Sequence, residues 1–142
     1  MTPGVGVLDT NTLILADRFH ADALPEEPVI TAVTLAELSV GPLVTDDDGE
    51  RAARQARLQA AEATFDPLPF DAAAARAYGA VAASLRRAGR KPSARAFDAL
   101  IAATAMANGL SIYTCNPKDF AGIDGLEVVT IPLPGLASTS LV

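Results

Sequence analysis

The sequence predicts an open α/β domain with a parallel sheet. Three observations carry that expectation: residues 5–8 form an apolar run without polar alternation, strand-like runs alternate with helix-like ones, and alanine dominates the helical stretches. A short apolar run beside glycine suits a strand buried on both faces of a parallel sheet. Strands separated by helices point to crossover connections, which place helices on both faces. Tracts such as Ala72-Ala73-Ala74-Ala75 favour closely packed helices over sheets of bulky side chains.

The elements follow in order. Residues 11–20 read as a helix with Leu13, Ile14 and Phe19 inward, and the turn Pro25-Glu26-Glu27-Pro28 leads to a strand at 29–31. Residues 34–43 read as helix, Asp46-Asp47-Asp48-Gly49 as a loop, and 50–63 as a helix with a wet face of Arg51, Arg54 and Arg57. The prolines in Phe65-Asp66-Pro67-Leu68-Pro69-Phe70 leave room only for a brief edge-like strand. Asp71 caps a helix that Gly89 ends. A helix at 94–107 stops at Asn108-Gly109, and strands at 110–114 and 127–130 flank a turn at 116–125. The expected organisation is one domain over 1–133 and an irregular tail over 134–142.

At 142 residues, half of them apolar, the chain can bury a sizeable core. Its one cysteine, Cys115, excludes an intrachain disulfide and a cysteine-based zinc site, and suits a reducing, cytoplasmic compartment. The N-terminal stretch lacks a basic region, and no apolar run is long enough to span a bilayer, so no membrane association is expected. The net charge of -6 argues against loose adhesion to nucleic acid. Yet Arg86, Arg87, Arg90, Lys91 and Arg95 crowd into ten positions, a candidate RNA-binding strip or simply a solvated helix end.

Four carboxylates stand out: Asp9, Glu37, Asp98 and Asp119. Each has an ordinary reading. Asp9 could cap a helix, Thr34-x-x-Glu37 spells a capping box, and Asn116-x-x-Asp119 could close a turn. Asp98 is harder to explain, because it is the only charge from Ala96 to Ala107 in an otherwise apolar stretch of helix, where a buried carboxylate must be paired, neutral or bound to a cation. Arg95, three residues away, is a structural partner to weigh against a ligand role. Position unites the four, since all fall after strands or early in helices, and parallel strands gather such positions at one rim. Carboxylates crowded there repel one another unless a divalent cation neutralises them. An all-oxygen set suits magnesium or manganese, whereas His20 and Cys115 sit alone.

These residues resemble those of the PIN-domain ribonucleases, and among them the VapC-type toxins of toxin-antitoxin pairs. The resemblance runs over most of the chain. It is carried by Leu8-Asp9-Thr10-Asn11, Thr34-x-Ala36-Glu37-Leu38-x-x-Gly41, Leu68-Pro69-Phe70-Asp71, Phe97-Asp98-Ala99-Leu100-Ile101-Ala102-Ala103-Thr104-Ala105 and Thr114-x-Asn116-x-x-Asp119-Phe120. It implies a three-layer αβα fold with about five parallel strands and a metal cluster of Asp9, Glu37, Asp98 and Asp119, supported by Thr114 and Asn116. It further implies an RNA substrate, products with a 5'-phosphate and a 3'-hydroxyl, a homodimer, and control by a cognate antitoxin. Two positions depart from the pattern: Cys115 stands where arginine is common, and the loop 89–95 is unusually basic.

Two other readings compete. Asp9-Thr10-Asn11-Thr12 after a strand is similar to the signature of haloacid-dehalogenase-like phosphatases, with Asp9 as nucleophile, but Asn11 lacks the carboxylate that a general acid requires. A non-catalytic domain that binds RNA or protein is the second, because fold alone does not establish catalysis.

Overall fold

The computed structural model describes residues 4–133. Four short strands form one parallel sheet in the order β2-β1-β3-β4, with β1 at Val5–Leu8, β2 at Glu27–Val29, β3 at Ser111–Thr114 and β4 at Val128–Thr130. Five α-helices flank it: α1 at Thr10–Ile14, α2 at Ala32–Val40, α3 at Asp48–Thr64, α4 at Ala72–Arg87 and α5 at Ala96–Ala107. The expected α/β class holds. About five strands were expected, and four form. Where the fifth would lie, Leu68 makes an isolated parallel bridge to Thr31. Pro67 and Pro69 lack the N–H groups that would extend that bridge into a ladder.

The first strand forms where expected, buried along Gly6, Val7 and Leu8. Its register sets Gly6 beside Ser111 and Leu8 beside Tyr113, and a Cβ on Gly6 would overlap the Tyr113 ring. The larger core joins Val7 and Ile112 of the sheet to Val81 and Leu85 of α4 and Ala99, Ile101, Ala102, Ala103 and Ala105 of α5. The alanines let α4 and α5 approach closely, as their abundance predicted. A smaller core of Ile30, Leu38 and Ala61 is packed by Leu13, Ile14, Leu58 and Phe65.

Several boundaries move. The helix expected over 11–20 ends at Ile14 and gives way to 3-10 turns at Ala16–Arg18 and Ala21–Ala23, so Phe19 and His20 lie outside it. The second strand lies at Glu27–Val29 rather than 29–31. The following helix starts at Ala32, capped by Thr31, whose hydroxyl accepts from Thr34 N at 3.3 Å. That finding removes the capping box expected at Thr34 and Glu37. Asp71 caps α4 as expected, accepting from Ala74 N at 3.0 Å. Gly89 and Gly109, both at positive φ, follow the ends of α4 and α5. The expected tail over 134–142 lies outside the described residues, in which no helix is long and apolar enough to cross a membrane.

Candidate active site

Because all four strands run the same way, the residues after β1 and β3 emerge at one edge of the sheet. The chain passes from β1 to β2 on one side and returns to β3 on the other. The acids therefore meet at the switch point between β1 and β3, where open α/β sheets bind ligands. Asp9 follows β1, Asp98 lies in the first turn of α5, and Asp119 sits in a 3-10 turn at Pro117–Phe120 after β3. One carboxylate oxygen of each lies within 4.8 Å of the others. Glu37, from the second turn of α2, faces the same opening, which Asn11, Ser93, Arg95, Ala96, Phe97, Asp98 and Asp119 also line.

Local capping accounts for neither Asp9 nor Glu37. Asp9 occupies the position before α1, but its side chain caps nothing. Instead Thr114 donates to Asp9 Oδ2 at 3.1 Å, and the backbone N–H of Asn116 donates to the Thr114 hydroxyl at 3.0 Å. Asn116 and Asp119 do close the turn after β3, Asp119 N donating to the Asn116 carbonyl at 3.1 Å and the Asn116 amide to Asp119 Oδ2 at 3.0 Å. Glu37 accepts from the Thr10 hydroxyl at 2.6 Å, and Thr10 lies 2.9 Å from the Thr34 hydroxyl. If Thr10 gives its one proton to Glu37, Thr34 must donate to Thr10. Arg95 pairs with Asp119 rather than with Asp98.

Asp9 is 2% exposed and Asp119 6% exposed, and Asp9 Oδ1 is buried without a hydrogen-bond partner. An unpartnered buried carboxylate oxygen is costly, and a cation would satisfy it. Burial raises the Asp9 pKa, the Thr12 and Thr114 hydroxyls oppose the rise, and the Asp119 charge adds to it. Burial likewise raises Glu37, opposed by Thr10 and reinforced by Asp9. Asp98 is pushed up to about 6 by burial and then by Asp119, Asp9 and Glu37, with Arg95 pulling the other way. The expectation that Asp98 is fully buried is corrected: it is half-buried, and its neighbour Phe97 is 55% exposed. The donors are all oxygens, which fits a hard divalent cation held by Asp9, Asp98 and Asp119.

The basic residues differ in their contacts. Arg87 pairs with Asp124 at 3.1 Å, Arg90 donates to the carbonyls of Lys118 and Ala121 at 3.2 Å each, and Arg86 is exposed in the last turn of α4. Arg95 alone touches the acid cluster directly. Sequence reasoning missed two threonines. Thr10 holds Glu37, and the fully buried Thr12 accepts from Cys115 N at 3.0 Å, which anchors the departing Cys115 beside the site. Their signal was the threonine on each side of Asn11, two hydroxyls just past a strand end.

A parallel sheet that gathers carboxylates from separate elements at its carboxyl edge defines a class of acidic-cluster α/β domains. Within that class, the PIN domain model matches residues 6–126. The chain is 37% identical over 133 residues to "Ribonuclease VapC5" of Mycobacterium tuberculosis, covering 92% of this chain and 96% of that protein. It is 32% identical over 129 residues to "tRNA(fMet)-specific endonuclease VapC" of Shigella flexneri, covering 85% and 93%. The crystal structure of VapBC-5, a member of the VapBC family of toxin-antitoxin systems from Mycobacterium tuberculosis, holds a chain that superposes with a TM-score of 0.80 at 36% identity. That match covers 91% of this chain and all of the other. The chain belongs to the PIN domain family, among its VapC-type members. The phosphatase reading of Asp9-Thr10-Asn11-Thr12 falls with that finding.

Proposed function

We propose that this protein is a VapC-type endoribonuclease that hydrolyses RNA phosphodiesters with bound magnesium or manganese, and that it is the toxin of a toxin-antitoxin pair. The convergence of Asp9, Asp98 and Asp119 around a partnerless carboxylate oxygen carries the reading. The ribonuclease and toxin-antitoxin names of its relatives supply the substrate and the biological role. A cognate antitoxin and a second copy of the chain are the expected protein partners. Val40, Leu43 and Val44 leave an apolar edge exposed after α2, a surface suited to such contact. A cytoplasmic location belongs to the same proposal.

In this mechanism Asp9, Asp98 and Asp119 hold the cation. When bound, it lowers the pKa of coordinated water and stabilises charge on the phosphate oxygens. Thr114 holds one oxygen of Asp9 and leaves Oδ1 free to ligate, while Asn116 holds Oδ2 of Asp119 and Arg95 its Oδ1. Glu37, fixed by Thr10, presents its carboxylate to the opening and orients water there. Their rotations are already restrained, so little reorganisation is needed when charge develops.

The test is cleavage of structured RNA by the purified protein, freed of partners, with magnesium or manganese. Products should carry a 5'-phosphate and a 3'-hydroxyl. Asp98→Asn should abolish cleavage while circular dichroism and melting show an intact fold. Equal cleavage by that variant would sink the assignment, and no cleavage by the parent would favour the non-catalytic reading.

A further inference from the structure

The fold sorts the basic residues by what they face. Arg90, Lys91 and Arg95 line a cavity of about 230 Å³ together with Asp119, over the apolar side chains of Leu85, Ala99 and Ile123. Arg95 and Asp119 also line the opening that holds Asn11, Glu37 and Asp98, so the two recesses share a wall. Arg90 is engaged by the carbonyls of Lys118 and Ala121. Arg95 gives one nitrogen to Asp119 and is half-exposed, which leaves further N–H donors of its fork available. Nothing among the described residues pairs with the Lys91 ammonium, and Lys91 is exposed.

We propose that this cavity is a subsite for the RNA nucleotide next to the bond that is cut, with its phosphate between Lys91 and Arg95 and its ribose over Leu85, Ala99 and Ile123. The proposal rests on the nuclease reading above. In a chain of net charge -6, a polyanion needs a local positive patch to approach four carboxylates, and this is a built patch that adjoins them. An apolar floor beneath cations matches a sugar's carbon face beneath its phosphate. The small volume suits an unstacked single strand rather than a duplex, whose backbone spans broad surfaces. Arg95 joins the two functions, since one guanidinium balances Asp119 and can reach a phosphate oxygen.

The experiment measures binding of a labelled, mixed-sequence, single-stranded RNA 12-mer to the full chain. Asp98→Asn serves as background so that the probe is not cut, and ionic strength is varied. Adding Lys91→Gln should weaken binding about fivefold and reduce the salt slope by about 0.7, the value of one lost phosphate contact on a single strand. Arg86→Gln removes the same charge from the last turn of α4 and should leave the slope unchanged. An unchanged slope in Lys91→Gln, or an equal loss in Arg86→Gln, would overturn the subsite. Metal-dependent cleavage by the parent chain would in that case leave the nuclease reading standing. Failure of the parent chain to bind or cut any RNA would remove both.

Discussion

The Thr114 hydroxyl, on the last residue of β3, donates to Asp9 Oδ2 at 3.1 Å, one residue past the end of the adjacent β1. This bond locks one carboxylate oxygen of the acid cluster to the sheet and leaves the other, Oδ1, without a partner. Thr114 is fully buried, so the bond forms out of reach of solvent competition. Thr114→Val keeps the shape and removes the donor. It should lower stability by about 1–2 kcal/mol, as expected for a lost buried hydrogen bond. It should also weaken binding of manganese, measured by calorimetry beside a urea titration of the same variant.

Crowding of the acids predicts an unusual pH dependence. Asp98 has its folded pKa raised to about 6 from 3.8, and Asp9 and Glu37 are also raised. Between those values the folded state binds more protons than the unfolded state, so stability falls as pH rises. The metal-free protein should melt at a lower temperature at pH 7 than near pH 5. Saturating magnesium or manganese should remove most of that difference, because the cation binds the ionised acids. A metal-free melting temperature that rises across this range would contradict the cluster.

Glu37 differs from the three aspartates in position, since the close oxygen cluster comprises Asp9, Asp98 and Asp119. Asp119→Asn should therefore reduce metal affinity more than Glu37→Gln does. Glu37→Gln should lose at least about a hundredfold in cleavage rate, the range typical of a positioned proton-handling or water-orienting group. Manganese titration followed by single-turnover cleavage separates the two effects.

Arg95 opposes a cation at Asp119 and favours a phosphate nearby. Arg95→Gln should raise metal affinity severalfold, because it removes a positive charge in contact with the ligand set. The same change should weaken binding of RNA. Opposite signs in calorimetry and RNA titration are the expected outcome, and a fall in both would point to a structural role.

Gly6 tests the sheet itself. It sits in β1 against the Tyr113 ring, and a Cβ there would overlap the ring atoms. Gly6→Ala should destabilise the domain by about 1–3 kcal/mol, as for overpacking in a close-packed interior. Urea unfolding reads this directly. A neutral outcome would mean that Tyr113 moves aside freely.

The sequence by itself determined the alternation of strands and helices, the burial of the first strand, the caps at Asp71 and Gly89, and the four acids as candidates. Those properties follow from periodicity, backbone preferences and residue chemistry within short windows. Boundaries slipped where local signals compete: Thr31 takes the cap that Thr34 was expected to make, and two prolines reduce a fifth strand to a single bridge. The tertiary structure alone decided the partners. Asp9 is held by Thr114 from 105 positions away, Glu37 by Thr10 from 27, and Arg95 turns from its helical neighbour Asp98 to Asp119, 24 positions away. Such pairings depend on which strands lie side by side and where their ends emerge, and spacing along the chain does not encode that directly. The same packing divided one basic stretch into a solvated Arg86, the hydrogen-bonded Arg87 and Arg90, and Lys91 and Arg95, which line the cavity beside Asp119.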